Sequence, residues 1–150
     1  MSHSTSTYPP PRTMVPVWPG TPRHRTLGRK LVGGLFLVTA GVHVGLVSAD
    51  TQVYRHFADG GLFPFVREGW QDIVMANPAF WGLMLAAGEL VIGTLLMVGG
   101  RAARWGWVGA IAFHVLLMVF GFGFWLWSVP ALVVLVVLAL HDRPAPPVTG

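Results

Sequence analysis

Three ionisable side chains lie inside long apolar stretches of this sequence: His43, Glu89 and His114. A charged group at the centre of a membrane helix is unfavourable by roughly 2.5 to 3.5 kcal/mol on insertion scales, so each of them needs an explanation. Imidazole and carboxyl groups can hold and pass on protons, and histidine titrates near neutral pH. We therefore treat these three residues as the candidate catalytic residues.

The three side chains allow more than one chemistry. Glu89 could be a structural residue, bonded to His43 or His114, that holds neighbouring helices in register. Alternatively, a carboxyl and a histidine at the mouth of a quinone pocket could handle protons during two-electron chemistry. Axial ligation of haem b by the two histidines is a weaker alternative. Metal binding by two histidines and a carboxylate fits the ligand types but not any diagnostic spacing, so no metal site is predicted.

The composition indicates the solvent in which these groups must be positioned. Of the 150 residues, 53% are hydrophobic and only 11% are charged, whereas soluble chains carry roughly 25% charged residues. The chain is long enough for one domain. With so few charged residues, its surface could not be covered with charge in water. It also lacks cysteine, which excludes disulfides, thiolate metal sites and cysteine nucleophiles. We predict an integral membrane protein.

Hydrophobic runs of the required length predict an all-α bundle of four transmembrane helices, since a bilayer is crossed by about 20 residues. The last apolar block, residues 105–140, would run to about 54 Å as one helix and must break near Gly121. Residues 49–79 form a predicted outer loop with short interfacial helices, one capped by Asp50 and one beginning at Pro64. An ordinary ordered loop is the alternative. The predicted spans are 31–48, 80–100, 105–121 and 126–140.

The positions of the basic residues predict the topology. Residues 1–30 are rich in proline and are predicted to be a disordered cytoplasmic tail, residues 31–141 to be the transmembrane domain, and residues 142–150 to be a second cytoplasmic tail. Lysines and arginines accumulate on the cytoplasmic side of membrane proteins. We therefore predict a multi-pass protein of the inner (plasma) membrane with both termini inside, and signal-peptide cleavage after residue 49 is the less favoured alternative.

Because the basic residues are juxtamembrane, nucleic acid is excluded as a partner. Eight of the ten lie in the head, the turn at 100–104 or the tail: Arg12, Arg23, Arg25, Arg29, Lys30, Arg101, Arg104 and Arg143.

The same spans bring the three ionisable residues to one depth. His43 and His114 lie roughly 16 to 20 Å from the inner edge, and Glu89 lies about 16 Å from it. Small residues share the helix faces of Glu89 and His114, and His43 lies between two glycines, which predicts that all three side chains point into the bundle. Four loop aromatics are predicted to sit at the membrane boundary over the bundle mouth, as a lid or docking surface. The small residues are Gly41 and Gly45 around His43, then Gly82, Ala86 and Gly93 with Glu89, then Gly106 and Ala110 with His114; the aromatics are Phe63, Phe65, Trp70 and Phe80.

Three stretches together resemble the DoxX-like family of four-helix membrane proteins. They are residues 29–41, residues 77–99 with Gly88-Glu89-Leu90 at their centre, and the basic turn 101–104. The resemblance implies a membrane subunit or partner of a soluble or membrane oxidoreductase, linked to thiosulfate or thiol oxidation and to quinone reduction. The missing cysteines argue against direct thiol chemistry in this chain. The alternative function is a non-catalytic scaffold or small carrier with a structural Glu89, and homo-oligomerisation stays open.

Overall fold

Long apolar runs in lipid fold as helices because a helix satisfies its backbone hydrogen bonds internally. The structure is a computed structural model that describes residues 22–142, and this part of the chain is helical with no strand. Single turns of 3₁₀ helix (Thr51–Tyr54 and Met118–Phe120) and of π helix (Trp70–Val74) connect the main elements. Those elements are α1 (Pro22–Ala49), α2 (Pro64–Gly69), α3 (Pro78–Val98), α4 (Gly100–Leu117) and α5 (Phe122–His141).

Four of these helical segments are long and apolar enough to cross a membrane. The prediction of a four-helix membrane bundle is therefore confirmed. We call the end at which α1 begins and α5 ends the terminal end, and the end that carries residues 50–77 the loop end. The four segments are Thr26–Ala49, Pro78–Val98, Gly100–Phe120 and Phe122–His141.

The first helix begins earlier than predicted. Residues 22–30 belong to α1, so their assignment to a disordered tail was wrong. Proline is well tolerated in the first turn of a helix, where its missing N–H has no intrahelical partner to lose, and Pro22 starts the helix in this way. Residues 1–21 and 143–150 of the predicted tails lie outside the described residues.

The connections between the last three spans are shorter than predicted. The predicted turn at Arg101 to Arg104 is instead the first turn of α4, and the chain reverses at Gly99 and Gly100, whose φ angles are 87° and 59°. Glycine adopts this left-handed backbone without a steric penalty. Gly121, at φ 107°, separates α4 from α5 in the same manner, so α5 begins at residue 122 and not at 126.

The tightest packing in the bundle joins α1 to α3. A Cβ atom added to Gly93 would lie 2.9 Å from the Gly33 carbonyl oxygen, and one added to Gly33 would lie 3.1 Å from the Gly93 carbonyl oxygen. The two backbones therefore touch directly. Gly41 and Gly45 are exposed with open space around them, so the prediction that they form the α1 contact face was wrong.

The remaining helices complete the bundle in chain order. α3 packs on α4, α4 packs on α5, and α5 makes only limited contact with α1. The core is concentrated toward the terminal end, where Phe36, Leu96, Trp107 and Leu135 are buried together. The side of the bundle between α1 and α5 is consequently the loosest.

The loop contains the predicted short helices. Asp50 caps the first 3₁₀ turn by accepting a hydrogen bond from the Gln52 N–H at 2.8 Å, and Pro64 begins α2. An N–H···O bond from Leu62 to Val119 fastens the loop to the connection between α4 and α5. The loop therefore closes one end of the bundle.

Candidate functional site

Glu89 and His43 are brought together by the close packing of α3 on α1. The His43 Nε2 atom lies 3.9 Å from the Glu89 Oε1 atom. The Glu89 side chain is 4% exposed and the His43 side chain 18%, and the Thr39 hydroxyl, which donates a 3.1 Å hydrogen bond to the Phe36 carbonyl, lines the same cavity as these two side chains. The predicted convergence of these two residues is therefore present in the structure.

The buried faces of α3 and α4 are the ones that the sequence predicted. Gly82, Ala86, Glu89 and Gly93 are all buried on α3, and Gly106, Ala110 and His114 are all buried on α4. A Cβ atom on Gly106 would lie 2.8 Å from the Leu96 Cγ atom. The small residues thus allow close helix contact and turn both ionisable side chains toward the interior.

His114 belongs to the same region but is held differently. Its Nδ1 atom lies 2.9 Å from the Ala110 carbonyl oxygen, and since a carbonyl only accepts, Nδ1 carries the proton in this bond. The ring also meets Phe36 and Phe113 edge-on. In the neutral ring, Nε2 then keeps its lone pair.

Tyr54 is a further member of this cluster that the sequence analysis did not single out as a site residue. Its hydroxyl lies 2.8 Å from His43 Nδ1, and its residue exposure is only 5%. The Trp70 indole donates a 2.8 Å hydrogen bond to the Tyr54 carbonyl and so fixes the 3₁₀ turn. Burial raises the pKa of the Tyr54 hydroxyl, and the Glu89 carboxylate raises this pKa further. Tyr54 therefore links His43 to the loop end.

Glu89, His43 and His114 all line one cavity. Its volume is about 280 Å³, close to the lower end of the range for small-molecule sites. The other walls are apolar and come from α1, α3, α4, α5 and the loop. They are Leu35, Phe36, Thr39, Val42, Phe57, Leu85, Phe113, Leu117, Phe124 and Trp127.

This cavity, which we call the Glu89 cavity, reaches the lipid-facing surface between α1 and α5. Three of its lining residues are largely exposed on the outside of the bundle: Leu35 at 53%, Val42 at 51% and Trp127 at 64%. The limited contact between α1 and α5 leaves this side open. An apolar molecule could therefore enter laterally from the membrane.

A second apolar cavity of about 340 Å³ lies next to the Glu89 cavity, toward the loop end. The two cavities share the walls formed by Phe57, Leu85, Phe113 and Leu117. Tyr54 lines the second cavity, and its hydroxyl contacts His43 in the first. The hydrogen bond between these two residues therefore connects the two spaces.

The four aromatic residues predicted to cover the bundle mouth divide into two groups. Trp70 packs inside, stacked on Phe57 with ring centroids 5.1 Å apart. Phe63 and Phe65 stack on each other at 5.4 Å and are exposed, as is Phe80. Trp70 thus lines the second cavity, whereas Phe63, Phe65 and Phe80 are exposed, and their role as a lid or docking surface at the membrane boundary stays a prediction.

The Glu89 carboxyl has an unusual hydrogen-bonding state. Its Oε2 atom is buried and has no hydrogen-bond partner within the described chain.

Residues 22–142 contain no group of three histidine or carboxylate side chains placed to hold a metal ion. Comparison with family models, with curated proteins and with solved structures finds no match to this chain.

Proposed function

We propose that this chain is a DoxX-like, redox-linked membrane subunit that binds a quinone in the Glu89 cavity. Quinone and quinol differ by two electrons and two protons. In this proposal an oxidoreductase partner supplies or removes the electrons, and Glu89, His43 and His114 handle the protons. The chain would therefore connect a partner enzyme to the quinone pool.

The observation that carries the proposal is the buried Glu89 Oε2 atom without a partner. An unsatisfied buried polar atom is unfavourable by roughly 1 to 3 kcal/mol. A residue that served only to hold helices together would be expected to have its hydrogen bonds made inside the bundle. A carboxyl that faces an apolar cavity with one oxygen free can instead bond a quinone carbonyl or a quinol hydroxyl.

The access route favours a lipophilic ligand. The mouth between α1 and α5 faces the surface that contacts the hydrocarbon of the membrane, and Leu35, Val42 and Trp127 border it. A quinone head group is flat and largely apolar with two carbonyl oxygens, and its tail partitions into lipid. Such a molecule needs an apolar pocket with a few polar groups, which is the composition of this cavity.

The proton route runs through Tyr54 and His43. The Tyr54 hydroxyl is hydrogen-bonded to His43 Nδ1, and His43 Nε2 faces the Glu89 carboxyl across 3.9 Å. A water molecule or a small side-chain movement would close that gap. In quinone reduction, Glu89 would give one proton to a carbonyl oxygen and recover it through His43, and protonated His114 would give the second from Nε2.

Binding of a short-chain ubiquinone analogue to the full-length protein in lipid nanodiscs tests the proposal. We expect saturable binding that weakens about tenfold or more in Glu89→Gln, because an amide replaces the carboxyl group that donates a hydrogen bond to the quinone carbonyl. Glu68→Gln, which changes an exposed carboxylate of α2, is the matched control and should bind as the unchanged protein does. Absence of saturable binding, or equal binding by the folded Glu89→Gln protein, would favour the scaffold alternative.

We also propose that both termini face the cytoplasm, because eight of the ten basic residues lie in the terminal segments or at the α3–α4 connection. A reporter that is active only outside the cytoplasm should be active when fused at Gly60 and inactive at Arg101 and Gly150. The opposite pattern would reverse the orientation. Unequal activity at Arg101 and Gly150 would contradict the four-span topology.

A further inference from the structure

A polar pocket lies at the terminal end of the bundle, about 15 Å from the level of Glu89, since ten residues at about 1.5 Å each separate Glu89 from Gly99 along α3. Its volume is about 310 Å³, and it lies where α1 and α4 begin and α5 ends. We call it the arginine pocket, because three arginines and a single carboxylate contribute its charges. Its walls are Arg29, Gly100, Arg101, Arg104, Trp107, Ala139 and Asp142.

The charges of the arginine pocket are not balanced. Asp142 accepts a 3.0 Å hydrogen bond from the Trp107 indole and lies 3.9 Å from Arg29 Nε, too far for a hydrogen bond. The other five acidic residues of the chain are Glu89 and four loop residues, so no other acidic side chain lies at this end. Arg101 and Arg104 form no ion pair within the described residues. Two positive charges therefore remain in excess.

Arg29 provides a buried donor. Its side chain is only 12% exposed, and its Nε atom is buried without a hydrogen-bond partner. The guanidinium lies against the α3–α4 turn, where a Cβ atom on Gly99 would collide with it. A buried cationic group with a free donor is satisfied by an anion.

The start of α4 adds to this preference for an anion. Gly99 occupies the N-cap position of α4, and because glycine has no side chain, no side-chain hydrogen bond caps this helix. The first N–H groups of a helix lack intrahelical partners and carry partial positive charge. Gly100 and Arg101 stand at this terminus and line the pocket, so backbone and side-chain donors converge there.

The pocket continues onto the lipid-facing surface of α4. Arg101 and Arg104 also line an adjoining hollow with Trp105 and Val108, which are 71% and 57% exposed. Tryptophan at the edge of a span is typical of the membrane interface. A molecule with a phosphate at the arginines and an acyl chain along Trp105 and Val108 would use both parts.

We propose that the arginine pocket binds the phosphate of an anionic phospholipid, with the lipid tail lying on α4. The shared chemistry with a free phosphate is the guanidinium–phosphate hydrogen bond, which is frequently bidentate. The apolar hollow beside Arg101 and Arg104 is what favours a lipid over a soluble phosphate. This proposal is independent of the quinone proposal, because the two sites lie at different levels of the bundle.

Native mass spectrometry of the full-length protein, released from nanodiscs of equal parts phosphatidylglycerol and phosphatidylcholine, tests this site. We expect retained phosphatidylglycerol on the unchanged protein. Retention should fall by roughly tenfold or more in the double variant Arg101→Gln/Arg104→Gln, since each basic residue near the surface contributes to anionic-lipid binding. Both arginines are exposed, so the variant should fold.

Lys30→Gln is the control, because Lys30 is an exposed cation near the same end that does not line the pocket. It should lower retention much less than Arg104→Gln does. Equal losses in these two single variants would show general surface attraction and overturn the proposal. Displacement of the lipid by millimolar glycerol phosphate, or equal retention of phosphatidylcholine, would also overturn it.

Discussion

The two sides of α1 differ in how they meet the rest of the bundle. On one side, α1 packs against α3 with Gly33 and Gly93 in direct backbone contact. On the other side, α1 makes only limited contact with α5, and the Glu89 cavity opens between the two helices. The close α1–α3 contact therefore positions His43 and Glu89, whereas the looser α1–α5 side leaves their cavity open to the outside of the bundle.

The largest effect is expected from breaking the tight side. Gly93→Val should lower the free energy of unfolding by about 3 kcal/mol or more, because the new Cβ atom would lie 2.9 Å from the Gly33 carbonyl oxygen. Thermal unfolding in mild detergent measures the loss. Gly41→Val is the matched control, since a Cβ atom at Gly41 meets nothing within 4 Å. Similar stabilities of the two variants would contradict the assignment of the α1–α3 contact.

A smaller effect is expected at the cavity itself. Glu89→Met removes a buried oxygen atom without a partner, so the free energy of unfolding should stay within about 1 kcal/mol of its original value or rise. Urea or thermal unfolding in the same detergent measures it. If Glu89 instead holds α1 and α3 together, the variant should lose more stability than Glu89→Gln. That result would indicate that Glu89 stabilises the α1–α3 contact, and it would weaken the proposal that this residue is present to bind a ligand in the cavity.

The smallest effect concerns the link between the cavity and the loop. Burial and the Glu89 carboxylate both raise the pKa of Tyr54 above the ordinary value of about 10. Because folding raises the pKa, the fold is compatible with neutral Tyr54 and disfavours its ionised form. The contribution of Tyr54 to the free energy of unfolding is therefore complete below a pH of about 10 and is lost as the pH rises through the folded-state pKa. Stability should therefore fall at alkaline pH by less in Tyr54→Phe than in the unchanged protein.

Ultraviolet absorbance of tyrosinate measures the titration. The chain has two tyrosines, so the difference between the unchanged protein and Tyr54→Phe isolates Tyr54, with Tyr8→Phe as the control. The midpoint should lie above about 10 and should decrease in Glu89→Gln. A midpoint at the ordinary value, or one that Glu89→Gln leaves unchanged, would argue against the proximity of Tyr54 to Glu89.

Much of the architecture is encoded locally. Apolar runs of sufficient length determine the four helices, since no other structure satisfies the backbone of a single segment in lipid. Helical periodicity also identifies which residues share a face, and it correctly assigned Gly82, Ala86 and Gly93 to the buried face that carries Glu89. These properties depend on the spacing of residues along one helix, so the sequence alone is sufficient for them.

The tertiary structure decides which helix faces meet. Gly33 and Gly41 are both small residues of α1, yet Gly33 is buried against Gly93 and Gly41 is exposed, because the rotation of α1 depends on its fit to α3. The bond from Tyr54 to His43 likewise joins residues whose relation depends on how the loop folds back over the bundle. Residue spacing along the chain determines the faces of each helix, but packing between helices and loop determines the cavity and the contacts of His43 with Tyr54 and Glu89.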